Sequence, residues 1–157
     1  MGIERVRSFF EAYGRKNDVL QFDVSSATVE LAAKALDTEG ARIAKSLALY
    51  DDENGAVLIV AAGDARIDNR KFKERFGRKA SFCNGEDTLH YTGYAAGGVC
   101  PFALATGIPV YLDISLCRFA TVFPACGSSD SAIELTIADL ETYARSTGWV
   151  DVCKNWE

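Results

Sequence analysis

The chain has 157 residues, of which 48% are hydrophobic and 25% are charged, and its formal net charge is −5. This composition is typical of one globular domain with a core of its own. No apolar run approaches the ~18 residues that a membrane-spanning helix needs. The acidic balance disfavours broad, nonspecific nucleic-acid binding, which depends on many contacts between basic side chains and phosphates. We expect one domain over residues 1–157, located in the cytoplasm and without a membrane partner.

Cysteine and histidine usage bears on disulfide and metal chemistry. The five cysteines are an odd number, widely scattered, with no C-x-x-C spacing, which favours reduced thiols over a disulfide framework. His90 is the only histidine and no paired ligand spacing accompanies it, so zinc is poorly supported. No Walker-type phosphate loop is present. The sequence therefore predicts neither a metal nor an organic cofactor.

The first part of the chain predicts two helices separated by a strand. Residues 4–13 repeat apolar side chains at helical spacing, and Gly14 suits the end of that helix. The run VLQFDV (19–24) is typical of a strand, and Ser25 or Ser26 can cap the helix ATVELAAKAL that follows. This second helix is predicted to bury a stripe composed of Val29, Leu31, Ala32, Ala35 and Leu36.

A hairpin is predicted next. The runs KSLALY (45–50) and AVLIVAAG (56–63) flank the acidic turn DDENG, which is a hairpin signal between two apolar runs. The second run is apolar on both faces. It is therefore predicted to be a central strand of the sheet.

Two short helices with clear end signals follow the hairpin. Asp68 or Asn69 can cap NRKFKERF, which ends at Gly77. Asn84 opens a further helix that ends near Gly93. The segment from Arg66 to Lys79 is also the densest run of cations, and it is either a solvated helix face or a docking patch for a polyanion.

The last third predicts short strands and one helix. The strands are VYLDI (110–114), FATVF (119–123) and IELT (133–136), and WVDVC closes the chain. Thr136 followed by Asp139 resembles a capping box for the helix IADLETYARS. The strand spacing is too irregular for a doubly wound fold, and no G-x-G-x-x-G follows a strand. We predict an α+β fold with a mixed, strongly curved, barrel-like sheet.

Three features are candidates for a functional site, each with a structural alternative. GYAAGGVCPFAL (93–104) is either a tight turn, a place where backbone approaches a ligand, or the setting of a nucleophilic cysteine. Lys45 opens an apolar strand and either extends along its edge to solvent or holds a carbonyl or phosphate oxygen in a cleft. The loop CGSSDS (126–131) is either an ordinary turn or a rim of hydroxyl donors.

Taken together, the motifs resemble a known family. FDVSSATVELAAKAL, ARIAKSLAL, VLIVAAGDARID, GYAAGGVCPFAL and TVFPACGSS occur in the order seen in the YbaK-like proteins. These are free-standing aminoacyl-tRNA deacylases related to the editing domain of bacterial prolyl-tRNA synthetase. GGVCPF is the most specific piece. The resemblance covers the chain from about residue 5 to residue 145.

The resemblance implies hydrolysis, in trans, of the ester that joins a wrong amino acid to the 3′ end of a tRNA of the proline system. It implies no cofactor, and it implies the tRNA acceptor end as partner, with a synthetase as a further partner left open. The implied catalytic residues are Lys45, Gly97, Gly98 and Val99. The implied substrate-binding residues are Phe22, Thr28, Cys100, Pro101, Phe102, Gly127, Ser128 and Ser129. The basic side chains expected to dock tRNA are Arg66, Arg70, Lys71 and Lys73.

Two other functions stay open at the level of sequence. A catalytically silent module could use the same cleft to hold a tRNA 3′ end or a synthetase. A cysteine-dependent hydrolase would instead use a thiolate, but relatives with serine at the position of Cys100 show that the family's chemistry does not need one. Phe22 stands in a strand where many relatives carry histidine, so the amino acid removed is not identified.

Overall fold

A six-stranded mixed sheet that curls into a half-barrel forms the centre of the computed structural model, which describes residues 2–23, 28–51 and 55–156. Its helices are α1 (Gly2–Glu11), α2 (Val29–Leu36), α3 (Asn69–Phe76), α4 (Gly85–Thr92) and α5 (Ile137–Tyr143). Its strands are β1 (Leu20–Gln21), β2 (Ile43–Tyr50), β3 (Ala56–Ala62), β4 (Arg66–Ile67), β5 (Val110–Asp113), β6 (Thr121–Pro124), β7 (Ser131–Ala132), β8 (Leu135–Thr136), β9 (Gly148–Val150) and β10 (Cys153–Lys154). The predicted α+β fold class is confirmed.

The strand order in the main sheet is β8-β6-β2-β3-β5-β9. β2 and β3 form the predicted antiparallel hairpin, in which Lys45 lies opposite Ala61 and Ser46 opposite Val60. β2 pairs with β6, and β3 with β5, in parallel. Two small ribbons, β1 with β7 and β4 with β10, lie outside this sheet. The sheet is therefore mixed because a local hairpin is flanked by strands that return from distant parts of the chain.

The core confirms β3 as a central strand, since all seven of its residues are buried. α1 packs Val6 and Phe10 into the core, and both side chains are completely buried. The ring of Phe10 meets that of Phe102 edge to face, with centroids 4.9 Å apart. α1 thereby covers the chain that follows the two adjacent glycines and fixes its position.

The predicted helix ends are confirmed where a side chain can reach the first free N–H groups. Asp68 accepts hydrogen bonds from the N–H groups of Arg70 and Lys71 at the start of α3. Asn84 caps α4 and Thr136 caps α5 in the same way. α3 and α4 each end at a glycine in the left-handed conformation, a conformation that glycine adopts without a steric penalty.

α2 departs from the prediction. Its cap is Thr28, whose hydroxyl accepts a hydrogen bond from the Leu31 N–H, while Ser25 and Ser26 lie outside the described residues. The predicted buried stripe is wrong at two positions, because Leu31 is 47% exposed and Ala35 is also exposed. The face turned to the protein carries Val29, Ala32, Ala33 and Leu36, which is the i, i+3, i+4, i+7 spacing of one helical stripe.

Strand lengths also differ from the prediction. Over the run 19–24 only Leu20–Gln21 is a strand, and residue 24 lies outside the described residues. β2 begins at Ile43, two residues earlier than predicted, because it pairs there with β6. β8 contains only the last two residues of IELT. No helix within the described ranges is long and apolar enough to cross a membrane.

Candidate functional site

A largely apolar cavity of about 350 Å³ opens between α2, β2 and the loop that contains the two adjacent glycines. A fourth wall comes from the segment before α4, through Phe82 and Cys83, and from Thr88 in the helix itself. The remaining lining residues are Thr28, Val29, Ala32, Leu36, Ile43, Ala44, Lys45, Ser46, Leu47, Ala48, Ala96, Gly97, Val99, Phe123, Ala125, Ser131 and Ala132. Its size suits a small organic group rather than a macromolecule.

Lys45 lies on the wall of this cavity and is partly buried. Its ammonium donates hydrogen bonds to the backbone carbonyls of Gly63, at 3.4 Å, and of Ala65. Burial lowers the pKa of Lys45 below its ordinary value, and the nearby Arg66 guanidinium acts in the same direction. The cation is therefore held by dipoles, and none of the carboxylates in the described part of the chain forms an ion pair with it.

Glycine is required at these two adjacent positions for different structural reasons. Gly97 lines the cavity and has φ +92°, a conformation that strains any residue with a Cβ. Gly98 is buried against the other loop, where an added Cβ would come within 2.8 Å of Ser128 Cα. Val99 returns to the cavity wall. Two of the three predicted backbone residues thus face the cavity, and the third joins the two loops.

The three residues after this loop are directed into the protein instead. Cys100 and Phe102 are completely buried, and neither lines the cavity. Pro101 borders a second cavity, of about 540 Å³, beside the end of α5. The Tyr94 hydroxyl donates to the Phe102 carbonyl, which anchors this turn from within. The structure therefore does not bring Cys100, Pro101 and Phe102 to the cavity that contains Lys45.

The thiols next to this loop are unsuited to nucleophilic attack. Burial raises the pKa of Cys100 to about 12, and it raises the pKa of Cys126 well above its usual range. The Cys100 thiol points to the Phe102 carbonyl, 3.9 Å away. His90 is exposed on α4 with its ring against Tyr91. The neutral thiol that follows from these pKa values is a poor nucleophile.

The serine-rich loop is organised mainly by its own hydrogen bonds. The Ser128 hydroxyl donates to Asp130, at 2.6 Å, and Ser128 and Ser131 are joined through their hydroxyls at 2.8 Å. Gly127 is buried at φ +89°, where a Cβ would meet the Gly2 carbonyl at 2.5 Å. Ser129 is partly buried. Of this loop only Ser131 reaches the cavity.

The two predicted residues that precede α2 have different placements. Thr28 lines the cavity in addition to capping α2. Phe22 is partly buried outside it, and its N–H donates to the Asp130 carbonyl at 2.7 Å. The backbone of Phe22 therefore supports the serine-rich loop.

The basic segment lies on the surface, and some of its side chains form ion pairs. Lys71 pairs with Asp151, with the Nζ and carboxylate oxygen 3.1 Å apart. Arg70 is 88% exposed and lies 3.4 Å from Glu74 one turn later. Arg66 and Lys73 are also exposed. The structure therefore places these four cations on a surface of α3 and β4, outside the cavity.

Sequence reasoning missed several lining residues. Ser46 follows Lys45 in the same motif, yet only the strand geometry shows that its hydroxyl is buried without a partner among the described groups. Phe82 and Cys83 lack any motif, and they reach the site because an isolated bridge joins Phe82 to Leu49. Within the described ranges no cluster of three or more His, Cys, Asp or Glu side chains could hold a metal ion.

Comparisons with known proteins agree with this architecture. A family model described as "Aminoacyl-tRNA editing domain" matches residues 24–143. A Bacillus subtilis (strain 168) protein named "Uncharacterized protein YwhH" is 52% identical over 157 residues, which is 100% of both chains.

Two solved structures have a similar fold. One is described as a "putative trans-editing enzyme for prolyl tRNA synthetase"; it is 28% identical, its TM-score is 0.87, and the match covers 98% of this chain and 97% of that one. The other, "hypothetical protein APE2540", is 26% identical with a TM-score of 0.83 and covers 96% and 99% of the two chains.

Proposed function

Since the chain belongs to the aminoacyl-tRNA editing domain family, we propose that it is a deacylase that acts in trans on a mischarged tRNA. The resemblance predicted from the sequence is thereby confirmed at the level of the family. In the proposed reaction water adds to the ester carbonyl, and the bond between that carbon and the ribose oxygen breaks. The products are the free amino acid and a tRNA that ends in a ribose hydroxyl.

The observation that carries this proposal is the cavity that Lys45 on β2 lines together with Gly97 and Val99 of the glycine-containing loop. An apolar cavity of about 350 Å³ can take an amino-acid side chain. Beside it, a cation and a backbone N–H such as that of Gly97 are the elements that stabilise the oxyanion of an acyl-transfer transition state, whereas the Gly98 N–H already donates to the Ala95 carbonyl at 3.0 Å. Because an ester is already activated, such positioning and electrostatic help can suffice without a nucleophilic side chain.

Lys45 has the electrostatic role in this proposal. Its ammonium is partly desolvated and is held by the carbonyls of Gly63 and Ala65, so it can approach an oxyanion with little loss of hydration. Gly97 contributes its peptide group, and Gly98 holds the loop against Ser128. The high pKa of Cys100 argues against the cysteine-dependent alternative.

The proline system and the mode of tRNA binding are the finer parts of the proposal. The likeness to the structure described as a "putative trans-editing enzyme for prolyl tRNA synthetase" supports a tRNA of that system. We assign docking of the acceptor stem to Arg66, Arg70, Lys71 and Lys73, with a synthetase as a further partner. The alignment of a relative over the whole chain is consistent with one editing domain over residues 1–157. We assign its activity to the cytoplasm, where aminoacyl-tRNAs are used.

A turnover experiment tests this function. A panel of mischarged tRNAs is incubated with substoichiometric protein, and release of the free amino acid is measured. We expect several turnovers per protein molecule on at least one member of the panel. Binding of charged tRNA without release of amino acid would instead identify a silent module. Rapid inactivation by a thiol alkylator that persists in a Cys83→Ala variant, which lacks the thiol on the cavity wall, would identify a cysteine-dependent enzyme.

A further inference from the structure

The edge of β2 that borders the cavity contains a gap in the sheet. At one end of β2, Ala44 is the last residue that pairs with β6, opposite Pro124. At the other end, the Ala48 carbonyl accepts a hydrogen bond from the Cys83 N–H at 2.9 Å. Between them the edge faces the cavity rather than another strand.

Ser46 is the residue whose peptide groups point into this gap. In an antiparallel ladder alternate residues direct both N–H and C=O to the same side. The N–H of Tyr50 donates to the Ser81 carbonyl and the Ala48 carbonyl bonds to Cys83, so the even-numbered residues of β2 point away from β3. Neither peptide group of Ser46 has a partner on this edge among the described residues.

The Ser46 side chain adds another polar group without a hydrogen-bond partner among the described residues at the same place. Its hydroxyl oxygen is buried and has no hydrogen-bond partner within the described part of the chain. A buried polar group without a partner costs stability, and in a native protein it indicates a group that a ligand or water satisfies. Three polar groups of one residue therefore lack partners beside an apolar cavity.

We propose that Ser46 binds the aminoacyl group of the substrate as a one-residue β-strand. The Ser46 carbonyl accepts a hydrogen bond from the α-ammonium group, the buried Ser46 hydroxyl turns toward the cavity and accepts a second one, and the Ser46 N–H donates to the ester carbonyl oxygen. This is the exchange that two residues make when they face each other in a hydrogen-bonded antiparallel pair. The proposal rests on the deacylase function and names the substrate feature that the site recognises, a free α-ammonium group next to the ester.

This arrangement separates recognition of the common part of the substrate from recognition of its side chain. Every α-aminoacyl ester carries the same ammonium and carbonyl groups, which Ser46 would hold at the strand edge. The side chain would then extend into the apolar part of the cavity, among Ala32, Ile43 and Val99. The Ser46 N–H would add a third donor to the ester oxygen, beside Lys45 and the Gly97 loop.

Three esters of the same tRNA test the recognition step in the wild-type protein. They are the aminoacyl ester that is hydrolysed fastest in the panel, its N-acetyl derivative, and the ester of the corresponding α-hydroxy acid. A hydrogen bond to a charged group contributes roughly 10- to 100-fold. We expect kcat/KM to fall about 100-fold on N-acetylation, which also adds bulk, and about 10-fold for the hydroxy ester.

Two substitutions separate the hydroxyl from the peptide N–H. Ser46→Ala removes the hydroxyl. It should lower the ratio of kcat/KM for the aminoacyl ester to kcat/KM for the hydroxy-acid ester about threefold. Ser46→Pro also removes the N–H, but this N–H points away from β3, so every hydrogen bond of the hairpin is kept and the strand can accept proline. Relative to Ser46→Ala, it should lower kcat at least tenfold with all three esters. Ser81 lies in the segment that bonds to the same edge of β2, through the Tyr50 N–H, but outside the cavity. Ser81→Ala is the control and should match the wild type.

The outcomes distinguish this inference from the proposed function. Equal hydrolysis of all three esters would overturn the role of Ser46 while leaving the protein a deacylase. Hydrolysis of none of them would overturn the deacylase function and this inference with it. If Ser46→Pro does not fold, the three-ester comparison in the wild-type protein and the substrate preference of Ser46→Ala still test the role proposed for Ser46.

Discussion

Lys45 in the cavity and Lys71 on α3 are two cations in contrasting surroundings. Lys45 is partly buried, is held by backbone carbonyls, and has a pKa lowered by burial. Lys71 is paired with Asp151 on the surface, and that hydrogen bond raises its pKa. A cation whose charge is not balanced by a carboxylate is available to an anion that arrives with a substrate. The contrast therefore favours Lys45 as the group that acts on the ester and leaves α3, at most, a docking role.

The largest effect is expected from removing the Lys45 charge. Lys45→Ala should lower kcat for deacylation by about 10²-fold or more, which is the scale for the loss of one transition-state stabiliser. Single-turnover hydrolysis of the best substrate measures this loss. Lys45→Gln also removes the charge but keeps a donor for the Gly63 carbonyl, so its turnover should fall to a similar extent if the charge and not the hydrogen bond matters. If Lys45→Gln folds and retains wild-type turnover, the cation has no catalytic role.

The contact between the two loops is expected to be the next most sensitive feature. In Gly98→Ala the added Cβ would lie 2.8 Å from Ser128 Cα, so backbone must shift. Overpacking of this kind costs about 1–3 kcal/mol, and the displaced Gly97 should lower kcat about tenfold. Thermal unfolding and turnover measure the two effects. Gly107→Ala, whose Cβ meets nothing within 4 Å, is the control and should change neither.

A smaller effect, on the KM for tRNA, is expected from removing cations on the surface of α3. Arg70→Gln with Lys73→Gln should raise KM for full-length tRNA two- to fivefold, and the salt slope of binding should fall by about 0.9 for each phosphate that the variant no longer neutralises. We leave Lys71 unchanged because it holds Asp151. Lys16→Gln removes an exposed cation elsewhere and serves as the control. Unchanged affinity and salt slope in the double variant would show that this face is only solvated.

The pH dependence of stability should distinguish the two lysines. The folded protein releases the Lys45 proton below pH 10.5, where the unfolded chain still holds it, so this group makes the free energy of unfolding rise with pH in that interval. Lys71 acts oppositely, because its raised pKa gives stability that is present below 10.5 and lost above it. Urea unfolding between pH 8 and 10.5 should show a steeper rise for the wild type than for Lys45→Gln. Equal slopes would mean that Lys45 is not desolvated.

The smallest effect is expected at Cys100. Cys100→Ser should keep turnover within about threefold, because the thiol makes no bond in the proposed mechanism and its pKa of about 12 keeps it neutral. The exposed Cys117 should react with an alkylating agent long before Cys100 does. Complete loss of turnover in a folded Cys100→Ser protein would contradict the mechanism.

Local signals in the sequence predicted most of the helix ends and the central hairpin. Asp68, Asn84 and Thr136 cap helices because a short polar side chain at that position reaches N–H groups two or three residues away. The complete burial of β3 followed from a run that is apolar on both faces. The stripe on α2 was wrong at Leu31 because a short helix of mostly apolar residues has several candidate faces.

By itself, the sequence determined the family and the fold class, and it identified Lys45 as a candidate site residue. These depend on motifs and on the order of elements. Only the tertiary structure decided which residues reach the cavity. It directed Cys100 and Phe102 inward, brought Phe82 and Thr88 to the wall, and exposed the edge of β2 at Ser46. The physical reason is that a cavity wall and a gap between strands arise from the pairing of distant segments, and no local pattern of residues encodes that pairing.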